Sequence, residues 1–142
     1  MQKKIIAVIF ALFAGTITIY LAELISHQIY PPPEGLDLTK PEVFSQYIET
    51  IDPSVLLMVL MCYASGAFVA GATANRIMLG KGINQALLVA AILTIFSLMN
   101  LLKFPAHPIW FWVIGLTLYI PFAILGAKYM GTVMERMKPK ED

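Results

Sequence analysis

Charge is scarce in this chain and reactive side chains are scarcer. Of 142 residues only 13% are Asp, Glu, Lys or Arg, and there are one cysteine and two histidines. A single cysteine excludes an internal disulfide framework, a CxxC redox pair and a thiolate metal cluster. Cys62, inside an apolar run, reads as a small buried hydrophobe. A formal net charge of +1, with the basic residues scattered over several short segments, offers no stripe for a nucleic-acid backbone, so no nucleic-acid partner is expected. Gly-rich phosphate loops, a nucleophile elbow and paired aspartates within apolar runs are also missing. Apolar residues make up 58% of the chain, too much for a soluble core with a wet surface.

The apolar residues gather into four stretches, at residues 5–25, 54–74, 83–102 and 109–130. Each is close to the roughly 20 residues that cross hydrocarbon. The reading is an all-α membrane protein: one transmembrane domain over residues 1–142, built as a four-helix bundle. MQKK followed by an apolar run has the look of a secretory signal, but the run is long for one and lacks an A-x-A cleavage site, so it is read as a retained first span. Lys3, Lys4, Arg76, Lys81, Lys128, Arg136, Lys138 and Lys140 fall on one side of these spans, and only Lys40 and Lys103 on the other. The positive-inside rule then puts the N- and C-termini in the cytoplasm.

The connections carry their own signals. Residues 75–82 (NRIMLGKG) suit a tight turn with two glycines, and residues 103–108 (KFPAHP) a hairpin with Pro108 in the first turn of span four. The outer loop, residues 26–53, holds five acidic residues against Lys40 alone and opens with Tyr30 and Pro31 to Pro33, which favour an extended course. Thr39-Lys40-Pro41-Glu42 fits a capping box, with Thr39 as N-cap. Val43, Phe44, Tyr47, Ile48 and Ile51 then form the apolar stripe of a short extracytoplasmic interfacial helix, lying in the headgroups or packed over the bundle. Asp52 and Pro53 restart the chain as N-cap and first turn of span two. Small residues recur every four positions in each span, for example Ala7, Ala11 and Gly15, or Gly66, Ala70 and Ala74, which suits close packing inside one bundle. Pro121 should kink span four and free the Thr117 carbonyl.

Functional candidates concentrate at the outer surface. Glu23 and His27 are four apart at the end of span one, Asn100 lies near the end of span three, and His107 stands in the next link. With Tyr30, Asp37, Trp110 and Trp112 they form the candidate ligand- or partner-binding set; no catalytic residue is assigned. Glu23, His27 and His107 are a weak set for a divalent metal such as zinc, since Glu-x-x-x-His lacks the two-histidine turn of HExxH, and no resident cofactor is predicted. A simpler account pairs Glu23 with His27 along the helix and lets His107 cap span four. Mid-span positions offer hydroxyls such as Thr16, Tyr63, Ser97 and Thr117 and no buried charge, which disfavours a proton-coupled carrier.

ELISHQIYPPPEGLDLTKPEVF (residues 23–44), GAFVAGATANRI (66–77) and FPAHPIWFWVIG (104–115) together resemble an uncharacterised family of small bacterial four-span inner-membrane proteins. The resemblance covers nearly the whole chain, with YPPP and HPIWFW as its most specific motifs. It implies a bacterial cytoplasmic membrane. It also implies that Glu23, His27, Tyr30, Pro31 to Pro33, Gly35, Asp37, His107, Pro108, Trp110 and Trp112 form one outer unit, with the proline segment over the mouth of the bundle and the tryptophans as its wall. The leading expectation is a non-enzymatic bundle that binds a partner protein, lipid or small ligand through this cap, or serves as an accessory subunit. The alternatives are a metal-dependent enzyme using Glu23, His27 and His107, and a small-molecule transporter. Expected partners are the lipid bilayer and either a second membrane protein or another copy of the chain.

Overall fold

The computed structural model describes residues 1–137; Lys138 and Lys140 of the charge asymmetry lie outside the described residues. Six helices and their connections make up the described part, with no strand among those residues. They are α1 (Gln2–Ile29), α2 (Pro41–Thr50), α3 (Pro53–Ile77), α4 (Ile83–Lys103), α5 (Ile109–Thr117) and α6 (Tyr119–Arg136). Helices α1, α3, α4 and the α5–α6 pair are each long and apolar enough to cross a bilayer, giving an all-α four-helix membrane bundle. Three of these helices outrun the apolar stretches of the sequence: α1 adds Gln2–Lys4 and Ser26–Ile29, α3 ends at Ile77 and α6 at Arg136. Polar residues do not stop a helix whose backbone can keep its own hydrogen bonds.

Helix α3 is the hub. Its small residues face two neighbours at once. A Cβ added to Gly15 of α1 would stand 2.8 Å from the Ala70 Cβ and 2.9 Å from the Gly66 carbonyl oxygen, so α1 and α3 touch backbone to backbone. On the other side a Cβ on Gly71 would meet the Ala123 oxygen at 1.9 Å, and one on Gly126 the Phe68 oxygen at 1.9 Å. Ala7, Ala11, Ala67, Ala70, Ala74, Ala86, Ala90, Ala123 and Ala127 are all fully buried. The small-residue ribbons therefore face inward, as intramolecular packing requires. Large apolar side chains such as Phe10, Phe13, Ile17, Phe96 and Leu125 point outward, the arrangement that lipid rather than water makes favourable.

Two local features follow the sequence closely. Asp52 caps α3 by accepting from the Ser54 N–H at 2.8 Å, with Pro53 in the first turn. The fourth span bends at Leu118, four residues after Ile114 and three before Pro121. Pro121 has no N–H for the Thr117 carbonyl, while Phe122 N–H still reaches the Leu118 carbonyl at 3.2 Å, so the helix bends and continues. At the end of the bundle carrying Lys3, Arg76 and Arg136, Asn75 is 2% exposed and makes two long-range bonds. Its Nδ2 donates to the Ala127 carbonyl at 2.6 Å, and its Oδ1 accepts from the Gly82 N–H at 2.7 Å. One side chain thus ties α3, the α3–α4 turn and α6 together. Gly80 takes the left-handed conformation (φ 86°) that this turn needs.

The α3–α6 seam predicts a graded response to added methyl groups. Gly71→Ala should lower unfolding stability in detergent by about 1–3 kcal/mol through overpacking against backbone. Gly115→Ala, whose new Cβ would lie 3.5 Å from Leu60 Cδ2, should shift it by less than about 0.5 kcal/mol. Helicity followed by circular dichroism during denaturant titration distinguishes the two; equal losses would rule out the backbone contact as the cause.

Candidate functional site

The end of the bundle away from Arg76 is roofed by α2. The stripe expected of this helix packs over the bundle: Ile48 is buried, Phe44 and Ile51 are partly buried against the core, and Tyr47 is partly buried. The start of α2 departs from the capping box. Lys40 is its N-cap, and no side chain caps it. The Thr39 hydroxyl and N–H instead donate to Asp37 Oδ1, and the Lys40 ammonium sits 3.5 Å from Asp37 Oδ2. The helix begins one residue later than the capping box requires, with Pro41 at its first position, and Thr39 is left in the turn, where its hydroxyl and N–H both donate to the carboxylate two residues back. These bonds, the Thr39 hydroxyl first, hold the exposed Asp37 carboxyl below its ordinary range.

Beneath α2 lies a cavity of about 260 Å³. Phe44, Tyr47 and Ile48 form its roof, Val55, Leu56 and Val59 of α3 one wall, and Phe104 and Phe111 another. Polar groups enter from four places: Ser26 and His27 from α1, Tyr63 from α3, Asn100 from α4 and His107 from the α4–α5 link. Tyr30, Pro32 and Leu38 of the proline-rich connection close the side.

His107 is fixed in an aromatic slot. Its ring stacks on Phe111 (centroids 4.7 Å apart, planes at 15°) and leans on Phe44 at 5.3 Å. Nδ1 lies 2.9 Å from the Phe104 carbonyl, which can only accept, so Nδ1 carries the proton and Nε2 is left as an acceptor. The histidine thus secures the end of α4 and does not cap span four, whose α5 starts at Pro108 without a side-chain cap. Burial between the two rings pushes the imidazole below its ordinary pKa.

A second recess, about 210 Å³, lies deeper on the flank of the bundle. Glu23 and Thr16 of α1 and Phe96, Ser97 and Asn100 of α4 border it, and Tyr63 and Tyr119 form its floor. The two tyrosine rings stack at 6.0 Å. Tyr63 and Asn100 border both spaces. Glu23 and His27 do not make the expected ion pair; among the described residues the only salt bridge is Lys40 to Asp37. Glu23 and His27 stay on one face of α1, as the four-residue spacing requires, but His27 borders the cap cavity and Glu23, one turn deeper, borders the flank recess.

The eight candidates from the sequence therefore separate. His27, Tyr30, Asn100 and His107 line the cap cavity, and Glu23 joins Asn100 in the recess. Asp37 is exposed on the connection, while Trp110 and Trp112 are partly buried against the core and border neither space. Among the described residues no three His, Cys, Asp or Glu side chains come together to hold a metal ion, and Glu23 lies apart from His107. The sequence candidates did not include Tyr63, Phe111 or Tyr119; tyrosines inside spans two and four were the available signal. Comparison with known proteins finds no matching family model, no matching curated relative and no matching solved structure.

The His107 slot gives a pH dependence of definite sign. Its folded pKa lies below the unfolded value, so the neutral ring stabilises the cap fully above about pH 6.5. That stabilisation is lost as pH falls through the folded value. Amide exchange in Phe44–Ile48, corrected for intrinsic rates, should be slower at pH 7 than at pH 5 in the native protein, and His107→Phe should remove the difference while keeping the stack. An unchanged pH step in that variant would assign the effect elsewhere.

Proposed function

We propose that this chain is a binding protein of a bacterial cytoplasmic membrane, with both termini in the cytoplasm and the α2 cap on the outer face. The orientation rests on charge: Lys3, Lys4, Arg76, Lys81, Lys128 and Arg136 lie at one end, against Lys40 and Lys103 at the other. The task we assign to it is non-enzymatic capture, beneath α2, of a small and mostly apolar molecule with one hydrogen-bonding group. The observation that carries this reading is the cavity itself. Aromatic and aliphatic side chains make most of its wall, and its few polar groups converge from separate elements, the usual composition of a ligand pocket.

The polar members also set the chemistry of the occupant. None is acidic: Ser26, His27, Tyr63, Asn100 and His107 offer donors and acceptors without a negative charge. His107 presents Nε2 as an acceptor, so a hydroxyl or amide N–H on the ligand has a partner held rigidly by two aromatic rings. A volume near 260 Å³ falls slightly under the usual drug-sized range of about 300–1,000 Å³, which suits one or two fused rings or a short acyl segment.

Filling the cavity tests the proposal. Ile48→Trp adds a large side chain to the roof and should weaken binding of the apolar fluorophore N-phenyl-1-naphthylamine by about tenfold or more, by occupying the space the ligand needs. Ile109→Trp, at a position 83% exposed, should leave it unchanged. Fluorescence titration of protein in nonionic detergent reads both, and equal affinities across native protein and the two variants would place the probe outside the cap. Reporter fusions test the orientation separately: a cytoplasmic reporter should be active at the C-terminus and an extracytoplasmic one when inserted near Gly35.

A further inference from the structure

The flank recess is chemically unlike the cap cavity. It contains the one carboxylate of α1, and that carboxylate has no basic side chain within salt-bridge distance. Glu23 and Tyr63 are partly buried and Tyr119 is 3% exposed, and the acid shares the recess with these two rings, which are stacked on one another. Asn100 and Ser97 add uncharged oxygen atoms. Thr16 and Phe96 are exposed, so the recess opens sideways between α1 and α4, toward whatever surrounds the bundle.

Depth matters as much as composition. At about 1.5 Å per residue the 28-residue α1 is roughly 42 Å long, about 12 Å more than a hydrocarbon layer of about 30 Å. Glu23 stands six residues from Ile29, about 9 Å from the helix end, and hence about 3 Å inside the boundary between acyl chains and headgroups when the helix is centred. An ionised carboxylate at that level is costly unless a positive charge joins it. Aromatic faces with a carboxylate make a favourable box for an ammonium group, since ring quadrupole and anion both attract it.

We propose that the recess binds the ammonium head of a cationic amphiphile, with Glu23 as counter-ion, Tyr63 and Tyr119 as the aromatic floor, and the apolar tail leaving sideways past Phe96 into lipid. The chemistry is shared by an amine-bearing membrane lipid and by a free lipophilic amine. The site is separate from the cap cavity, and a failure of the cap reading leaves it standing.

The experiment uses the full chain in nonionic detergent, with dodecyltrimethylammonium as probe and dodecanol as its uncharged counterpart, followed by calorimetric titration. Native protein should bind the ammonium at least about tenfold more tightly than the alcohol; Glu23→Gln should abolish that preference, and Glu23→Asp should retain part of it. Ile48→Trp should leave ammonium binding unchanged. Should Glu23→Gln not fold, the comparison of the two probes on native protein still decides. Native mass spectrometry from nanodiscs containing phosphatidylethanolamine identifies the source: lipid retained by native protein but not by Glu23→Gln marks a lipid site, and probe binding without retained lipid marks a free amine. Equal affinity for ammonium and alcohol, or an ammonium preference that survives Glu23→Gln, would overturn the proposal.

Discussion

In a bilayer the tails of the lipids are as apolar as leucine, so helices gain little by hiding greasy side chains from one another. What holds this bundle is the close approach of α3 to α1 and α6, where glycine and alanine let backbones meet and dispersion contacts accumulate. That constraint shapes the rest of the molecule. The small residues of α3 run from Gly66 to Ala74, in the half nearer Arg76. In the other half α3 presents Leu56, Val59, Leu60 and Tyr63, whose bulk holds its neighbours further off. Both the cap cavity and the flank recess lie in this wider half. A more open space at the opposite end, bordered by Arg76, Lys81, Glu135 and Met137, lies beyond the small-residue seam and not within it.

Polar accounting separates structural groups from available ones. Thr18 donates to the Ala14 carbonyl, Ser65 to Cys62, Thr94 to Ala90 and Thr117 to Val113, so these hydroxyls are spent on their own helices. They mark no path across the membrane. Asn75 is also spent, on Ala127 and Gly82. Glu23 is different in kind: it is an ionisable group within a span that makes no salt bridge and no side-chain hydrogen bond among the described residues.

Much of the fold was legible because lipid imposes a simple rule on sequence. Spans of about 20 apolar residues, four-residue spacing of small side chains, Asp52 before Pro53 and Pro121 in span four each have one dominant physical consequence, and each is found. The site was less legible. Glu23 and His27 share a helix face by spacing, yet they do not come within salt-bridge distance and border two different spaces, which spacing along one helix does not reveal. Thr39 satisfies the capping-box pattern, but α2 starts with Lys40 as N-cap and Thr39 donates to Asp37 in the preceding turn, upstream of anything the four-residue motif contains. His107 was visible as a polar residue in a link, whereas its aromatic slot depends on Phe44 and Phe111, 63 and 4 positions away in the chain. Contacts of that range are set by the closure of the whole bundle.

The distribution of proline explains why the cap is a chamber and not a loose loop. Seven of the nine prolines, Pro31, Pro32, Pro33, Pro41, Pro53, Pro105 and Pro108, fall in the two connections at the cap end or at the helix starts that border them. The opposite turn is built with Gly80 and Gly82 instead. Each proline fixes one backbone angle before folding and so reduces the entropy lost when the connection orders. A long loop over a binding space would otherwise lose that entropy when a ligand arrived, at the expense of affinity. Between these stiff connections α2 itself is held down by Phe44, Ile48 and Ile51 through apolar contact and by no salt bridge of its own among the described residues. Apolar contact is non-directional and tolerates small displacement, whereas the proline hinges limit how far the helix can travel. The cap is thus held by stiff connections at its two ends and by apolar contact beneath, including the Phe44 ring against His107, rather than by charge.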